Sequence, residues 1–171
     1  MNLVTTRCTL RAPATADAPA IAKHANNRGV WLNLRDAFPH PYGVKDAELW
    51  IELLRSEQTR CNFIIDVNGE ATGGIGLKRG SDVERVSAEL GYWLGEEYWN
   101  RGIMSEAVKA ISDYGFAHLK LTRIYALPMA HNAASFRVLE KAGFVREGIL
   151  RRACIKDGEI LDMAMYARTS E

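Results

Sequence analysis

The segment from residue 86 to residue 117 constrains the fold most, because a strand pattern there runs through a glycine-containing loop into a helix. Residues alternate from Val86 to Leu94 as in a strand. Glu89, Gly91 and Trp93 form one face of this strand, and Leu90, Tyr92 and Leu94 form the other. From Ile103 to Ala117 apolar residues recur at helical spacing. A strand, a helix and a following strand predict a crossover between parallel neighbours.

Hairpin patterns flank this crossover. Asn68-Gly69 predicts a two-residue turn between strands 61–67 and 70–78, and Lys156 to Glu159 predicts the turn of a C-terminal hairpin. The remaining predicted elements are a strand at Thr9–Arg11, a helix at Ala18–Ala25 capped by residues 15–17, a helix from Asp46 to about Ser56, a strand at Arg123–Met129 and a helix from Asn132 to Ala142. The predicted fold class is α/β of the α+β type, a mixed, mostly antiparallel sheet of about seven strands with helices on both faces, and residues 1–171 form a single domain.

Composition excludes several function classes. The 22 Lys and Arg residues balance 21 Asp and Glu residues, so no strong net field attracts nucleic acid or an acidic membrane. No apolar run approaches the roughly 20 residues of a membrane span, and the start lacks a secretory signal pattern, so we expect a cytoplasmic protein. Three scattered cysteines and four scattered histidines show no metal-ligand spacing, so we expect no metal.

Two sequence elements have the pattern of a ligand site. The loop from Glu96 to Ser105 lies between a strand and a helix start, where unpaired N–H groups and the helix dipole favour an anion such as a diphosphate. Gly102 permits close backbone approach, and Arg101 can add charge-assisted hydrogen bonds. The second element brings the Asn132 amide and the Ser135 hydroxyl together at a helix start directly after a strand.

In this order, the two elements resemble the GNAT superfamily of acetyl-CoA-dependent N-acetyltransferases, in particular its RimJ/RimL-like branch, which acetylates protein N-termini. The resemblance covers nearly the whole chain. It rests on Glu89 to Leu94, on Trp99 to Ala107, and on Asn132 to Ser135 with Leu139 to Phe144.

The resemblance implies that acetyl-CoA is the co-substrate and that the loop amides bind its pyrophosphate. The implied cofactor residues are Trp93, Leu94, Trp99, Asn100, Arg101, Gly102, Ile103, Met104, Ser105, Asn132 and Ser135. Asn132 would contact the pantetheine arm or order the strand end, Ser135 would lie near the thioester sulfur, and amides around Trp93 and Leu94 would stabilise the oxyanion. The chain departs from the family pattern at Trp99, Asn100 and Met104, so a side chain at Met104 has to point into the core.

Acyl transfer to an amine needs a proton acceptor for the amine and a proton donor for the departing thiolate. Glu89 is the leading base, and its alternatives are an exposed strand carboxylate or an ion pair with Arg85. Ser135 and Tyr92 compete for the acid role, with Tyr92 expected on the face opposite Glu89. An α-amine, with a pKa near 7.7–8.0, is neutral far more often at pH 7 than a lysine near 10.4, so it is easier to activate.

The acceptor is a primary amine, for which the resemblance favours a protein or peptide N-terminal α-amine. Trp31, Phe38, His40 and Tyr42 are the candidate substrate-binding residues, with core packing as their alternative. Two other functions stay open: a non-catalytic acyl-CoA sensor, and acetylation of a small amine such as a polyamine or antibiotic. Dimers are common among similar proteins, which leaves a homodimer open.

Overall fold

The computed structural model describes residues 2–56 and 61–170. Within them the strands are β1 (Leu3–Val4), β2 (Thr9–Arg11), β3 (Asn62–Val67), β4 (Glu70–Arg79), β5 (Ser87–Leu94), β6 (Arg123–Ala126), β7 (Val145–Lys156) and β8 (Glu159–Thr169). The helices are α1 (Ala18–Ala25), α2 (Arg28–Trp31), α3 (Val44–Arg55), α4 (Ile103–Leu119) and α5 (Ala133–Lys141).

The strands of the described residues form one sheet in the order β1-β2-β3-β4-β5-β6-β8-β7. Every neighbouring pair is antiparallel except β5 and β6, which are joined through α4. The predicted mixed, mostly antiparallel sheet is therefore confirmed, and the crossover predicted from residues 86–117 supplies its parallel pair. The sheet has eight strands because the two-residue β1 adds an edge that carries no sequence pattern.

Alternation along the strands creates two cores, one on each face of the sheet. On one face Leu90 and Leu94 of the sheet share a core with Val108 and Ile111 of α4 and Leu139 of α5. On the other face Ile64 and Trp93 of the sheet share a core with Ile21 of α1 and Ile51 of α3. The predicted division of β5 is confirmed, because Leu90 and Leu94 pack on one side and Trp93 packs on the other.

The parallel pair separates after a short contact. Ser87, Ala88 and Glu89 pair with Arg123, Ile124 and Tyr125. Beyond Glu89 and Tyr125 the described parts of β5 and β6 do not pair again. The second half of β5 therefore has an open edge between the two strands.

Several boundaries differ from the predictions. The strand predicted over residues 123–129 ends at Ala126, because Pro128 cannot donate to a ladder, and Met129 forms only an isolated bridge to Met163. Helix α2, with four residues, is too short to show a period. Residues 15–17 form a 3₁₀ turn, and the Asp17 side chain accepts from the Ala14 N–H at 2.7 Å instead of capping α1.

Both predicted hairpin turns are confirmed. Asn68 and Gly69 have φ values of 54° and 89°, which suit the twist of the strands that they join. The C-terminal turn consists of Asp157 and Gly158, between the 12 residues of β7 and the 11 residues of β8. This long hairpin reaches α2, where Arg28 forms an ion pair with Asp157 at 2.5 Å.

Candidate active site

The loop before α4 presents backbone amides rather than side chains. Asn100 and Gly102 have φ values of 59° and 77°, and no described side chain caps the helix at Gly102. The first N–H groups of a helix have no intrahelical acceptor, so they are available to an anion. Asparagine is among the residues that best tolerate a positive φ. Asn100 can therefore adopt this backbone conformation, although it departs from the pattern of the family that the sequence resembles.

The large side chains of this loop are directed away from the amides. Ile103 and Met104 are buried in the α4-side core, as the sequence required of Met104. The Trp99 Nε1–H donates to the Leu94 carbonyl at 2.8 Å. Ser105 is half-buried in the first turn of α4. The Arg101 guanidinium lies 5.4 Å from the centre of the Tyr98 ring, so a charge remains at the loop's rim.

A second guanidinium reaches the same loop from the start of the chain. A Cβ atom placed on Gly102 would lie 3.4 Å from Arg7 Nε. The Arg7 backbone N–H donates to Glu106 at 3.0 Å, and the two side chains form an ion pair. Sequence reasoning missed Arg7, because nothing in the pattern of the first residues connects them with a loop so distant along the chain.

The open edge of β5 exposes alternate backbone groups. Ser87 O accepts from Gly80 N, and Gly95 N donates to Thr72 O, so odd-numbered residues face β4. The ladder with β4 contains no register shift, and the groups of Leu94 therefore point toward the opening. The prediction for the Trp93 amide is wrong on this geometry: its backbone faces β4, and its indole is buried against Phe38 and Trp50.

Tyr92 and Ser135 meet at this opening from two elements. Their hydroxyl oxygens are 2.5 Å apart, and Ser135 is buried at the start of α5. The Asn132 side chain accepts from the Ser135 N–H at 3.0 Å, which confirms the predicted cap. Burial raises the pKa of Tyr92 to about 12, although the hydrogen bond to Ser135 opposes this. The Tyr92 hydroxyl therefore stays protonated at physiological pH.

Glu89 lies on the opposite face of β5. Its carboxylate forms an ion pair with Arg35 and is 22% exposed. The predicted alternative partner was Arg85, but that guanidinium donates to the Asp82 carbonyl at 2.7 Å. Lys78 and Tyr125 are the cross-strand partners of Glu89 on this face. The arrangement places one reachable carboxylate between cationic side chains.

The four candidate acceptor residues separate into two groups. Trp31 stacks on the exposed His40 with ring centres 5.6 Å apart. Phe38 packs on Trp93 and, at 4.8 Å, on Tyr42. Tyr42 is buried in the α1-side core, and this burial raises its pKa to about 12. Tyr42 thus packs beneath Phe38, in agreement with the core-packing alternative for this residue.

The C-terminal hairpin fixes the segment that carries Arg35. Lys156, at the end of β7, donates to Asp36 Oδ1 at 2.7 Å, and its Nζ lies 3.6 Å from the centre of the Trp31 ring. The Lys156 side chain is 2% exposed. No sequence signal distinguished this lysine, because turn-flanking lysines are normally solvated.

A cluster around Glu70 supports the turn that leads into the loop. Glu70 accepts from His24 at 2.8 Å, from Lys23 at 3.1 Å and from the Tyr98 hydroxyl at 3.0 Å. The hydrogen bond with His24, followed by those with Lys23 and Tyr98, lowers the pKa of Glu70 to about 2. His24 also approaches Glu97 at 3.2 Å, so α1 and β4 together hold the segment before Trp99.

Within residues 2–56 and 61–170, no three His, Cys, Asp or Glu side chains come close enough to hold a metal ion. None of the helices in these ranges has the length and apolar character of a bilayer span. Cys8 and Cys61 are buried, and burial raises the pKa of the Cys8 thiol, which disfavours a thiolate nucleophile.

An anion cradle at a helix start, an opening between two parallel strands, and a carboxylate and a hydroxyl on opposite sides of that opening are compatible with an acyltransferase that uses a phosphate-bearing donor. The comparison with known families agrees. Residues 7–145 match the family described as "Acetyltransferase (GNAT) domain", and the chain belongs to this family of acetyl-CoA-dependent N-acetyltransferases.

Three similar proteins illustrate the relationship. Uncharacterized N-acetyltransferase p20 of Bacillus licheniformis is 31% identical over 174 residues, which cover 97% of this chain and 94% of p20. Spermidine N(1)-acetyltransferase of Escherichia coli is 29% identical over 136 residues, which cover 78% of this chain and 70% of that protein. The structure of Mycobacterium smegmatis RimJ in complex with CoA-disulfide is 26% identical, with a TM-score of 0.85, and covers 95% of this chain and 82% of RimJ. The chain is RimJ/RimL-like.

Proposed function

We propose that this protein transfers the acetyl group of acetyl-CoA directly to the α-amine of a protein or peptide N-terminus. The observation that carries the proposal is the position of Glu89 and of the Tyr92–Ser135 pair on opposite faces of β5, beside its open edge. One face can accept a proton from the amine while the other supplies one to the leaving group.

The residues present fit acetyl-CoA. The donor, when bound, supplies an activated acetyl group and a thiolate leaving group. The amides after Asn100 and Gly102 bind the diphosphate, and Arg7 and Arg101 neutralise its charge. The Leu94 amide, at the open edge, stabilises the charge that develops on the acetyl oxygen. Asn132 holds the end of the opening and aligns Ser135.

Glu89 accepts the proton of the amine, directly or through a water molecule. Its carboxylate is reachable from solvent, and Arg35 has to move aside as the acceptor arrives. The side chain of Arg35 is 64% exposed and comes from a turn segment, so this displacement breaks only a solvated ion pair. Tyr92 donates the proton to the thiolate, with the Ser135 hydroxyl aligning it.

The charges around Glu89 favour an acceptor that carries one ammonium group. Arg35 pairs with Glu89, and Lys78 lies opposite it in register on β4. A polyamine would bring further positive charges to these cations, whereas an N-terminal peptide brings one. The similarity to RimJ supports this reading, and the similarity to spermidine N(1)-acetyltransferase is the reason to test a polyamine beside the peptides.

The test is acetyl transfer by wild type, Glu89→Gln and a control, Glu147→Gln. Glu147 is also a strand glutamate paired with an arginine, Arg123, but it lies on β7. We expect Glu89→Gln to lower kcat about 100-fold near pH 7, with partial recovery at high pH, where the amine deprotonates unaided. Glu147→Gln should retain the rate. An unchanged pH–rate profile for Glu89→Gln would show that another group is the base.

The alternatives are separated by two measurements on the wild-type protein. Calorimetric titration should show saturable binding of acetyl-CoA and none of ATP. Thiol release should then occur with peptide acceptors rather than with spermidine. Binding without any thiol release would indicate an acyl-CoA sensor, faster release with spermidine would indicate a small-amine enzyme, and absence of binding would contradict the proposal as a whole.

A further inference from the structure

Gly91 is a glycine that neither the backbone nor the packing requires. It lies in the middle of β5, where the ladder with β4 has no register shift, and its φ is not positive. It is exposed, and a Cβ atom placed on it would meet no described atom within 4 Å. Glycine inside a strand destabilises the strand relative to alanine, because glycine loses more backbone freedom on folding. Such a position commonly marks the close approach of a ligand.

The neighbouring glycines on the same face differ from Gly91. A Cβ atom on Gly74 would lie 2.6 Å from the Trp50 ring, and one on Gly76 would overlap the Asn62 side chain. Both glycines therefore make room for residues of the protein itself. Only at Gly91, among these three, is the space above the sheet left open.

The open space adjoins the proposed reaction centre. Gly91 shares its face of β5 with Glu89 and Trp93, each about 6.7 Å away along the strand. Glu89 is the last residue of β5 that pairs with β6, so Gly91 is the first position of this face beside the open edge. An amine that reaches toward Glu89 and the opening therefore carries its neighbouring carbon over Gly91. On the far side, Trp93 and Phe38 form an aromatic wall.

We propose that the bare backbone at Gly91 receives the side chain of the acceptor's first residue, and that Gly91 thereby determines acceptor specificity. The inference rests on the proposed function and names its substrate class: primary amines whose amine-bearing carbon carries a substituent, as in peptides that begin with a residue other than glycine. An unsubstituted CH₂–NH₂ group, as in a polyamine or an N-terminal glycine, does not need this space.

The test compares Gly91→Val with Gly148→Val. Gly148 is also a strand glycine whose φ is not positive, and a Cβ atom placed on it would likewise meet no described atom within 4 Å. It lies at a bulge of β7, away from Glu89. The acceptors are peptides that differ only in their first residue, which is glycine, alanine, serine or leucine. The measurements are kcat/KM for each peptide, the KM for acetyl-CoA and the melting temperature.

We expect Gly91→Val to lower kcat/KM about 100-fold for the leucine peptide and less than about 5-fold for the glycine peptide. The KM for acetyl-CoA should stay within about 2-fold, and the protein should melt no lower, because valine suits a strand and its Cβ atom would meet no described atom within 4 Å. Gly148→Val should leave the ratio between peptides unchanged.

Equal losses on all peptides, or no loss on any, would overturn the role of Gly91 while leaving peptide acetylation intact. A wild-type protein that acetylates spermidine and no peptide would overturn the proposed acceptor class and this inference together. The wild-type measurement thus distinguishes the two failures before any variant is made.

Discussion

The ammonium group of Lys156 is buried, so removing its exposed partner should destabilise the protein more than removing Lys156 itself. Its side chain is 2% exposed, whereas its partner Asp36 is 69% exposed. If Asp36 is neutralised, Lys156 keeps the Trp31 ring but loses its counter-ion in a site that water hardly reaches. If Lys156 is replaced by an apolar residue, Asp36 is simply solvated. Asp36→Asn should therefore destabilise the protein more than Lys156→Met.

The magnitudes follow from the geometry. Removing one partner of a fully buried pair costs about 3–5 kcal/mol, and because Asp36 is exposed we expect about 2 kcal/mol for Asp36→Asn. Lys156→Met loses about 1 kcal/mol of ion pairing and a similar cation–π contribution, but it buries an apolar side chain and removes the desolvation penalty. Its net effect should lie within about 1 kcal/mol of zero. For a chain of this length, 1 kcal/mol corresponds to about 2–4 °C in melting temperature.

The assay is urea and thermal unfolding of the wild type, both single variants and the double variant. The double variant should match Lys156→Met, since Asp36 no longer has a buried charge to neutralise. Asp157→Asn is the control, because Asp157 pairs with Arg28 between the same hairpin and α2 but both side chains are exposed, so the loss should stay below about 0.5 kcal/mol. A Lys156→Met variant that is as unstable as Asp36→Asn, or less stable, would refute this reasoning.

Two further predictions concern Glu70 and the proton donor. The folded pKa of Glu70, about 2, lies below its ordinary value, so its ion pairs and hydrogen bonds contribute stability above about pH 4.5 that disappears as the pH falls toward 2. Because the Glu70 side chain is 38% exposed, we expect this contribution to stability to be about 1 kcal/mol. Urea unfolding should therefore find Glu70→Gln less stable than the wild type at pH 7, and the difference should shrink below pH 4.5. The control Glu48→Gln, at an exposed position of α3, should show neither effect. Tyr92→Phe should lower kcat about 100-fold and Ser135→Ala only about 10-fold, with an unchanged KM for acetyl-CoA. Because the pKa of Tyr92 is about 12, the wild-type rate should not fall through deprotonation of Tyr92 below about pH 10. The reverse order of the two variants would assign the donor to Ser135.

The elements that the sequence predicts well have a local cause. The alternation of β5, the start of α4 at Ile103 and the turn at Asn68 each depend on neighbouring residues, whose periodicity or backbone preference is visible in the chain. The sequence named Tyr92 and Ser135 as competing proton donors, but it did not predict that their hydroxyls meet, because one lies on a strand and the other in the first turn of a distant helix.

The contacts that the sequence did not predict join distant segments through long charged side chains. Arg35 reaches Glu89, Arg7 reaches the loop at Gly102, and Lys156 reaches Asp36. A charged residue in a loop or at the end of a strand follows no sequence pattern that identifies its partner. Its long, flexible side chain could contact many different residues. The tertiary fold alone selects among them, which is why Arg85 was the wrong expected partner of Glu89.

The placement of Glu89 and Tyr92 on opposite faces of β5 depends on the register of this strand. Side chains alternate along a strand, so Glu89 and Tyr92, three positions apart, must lie on opposite faces, and the open edge between the faces is where both can act on one reacting group. A shift of one residue would exchange these faces and would move Leu90 and Leu94 out of the core, so the apolar residues of β5 hold the two polar groups in place. The hydrophobic pattern that folds this strand therefore also separates the proposed proton acceptor from the proposed proton donor, and the proposed direct transfer needs no third residue to carry the acetyl group.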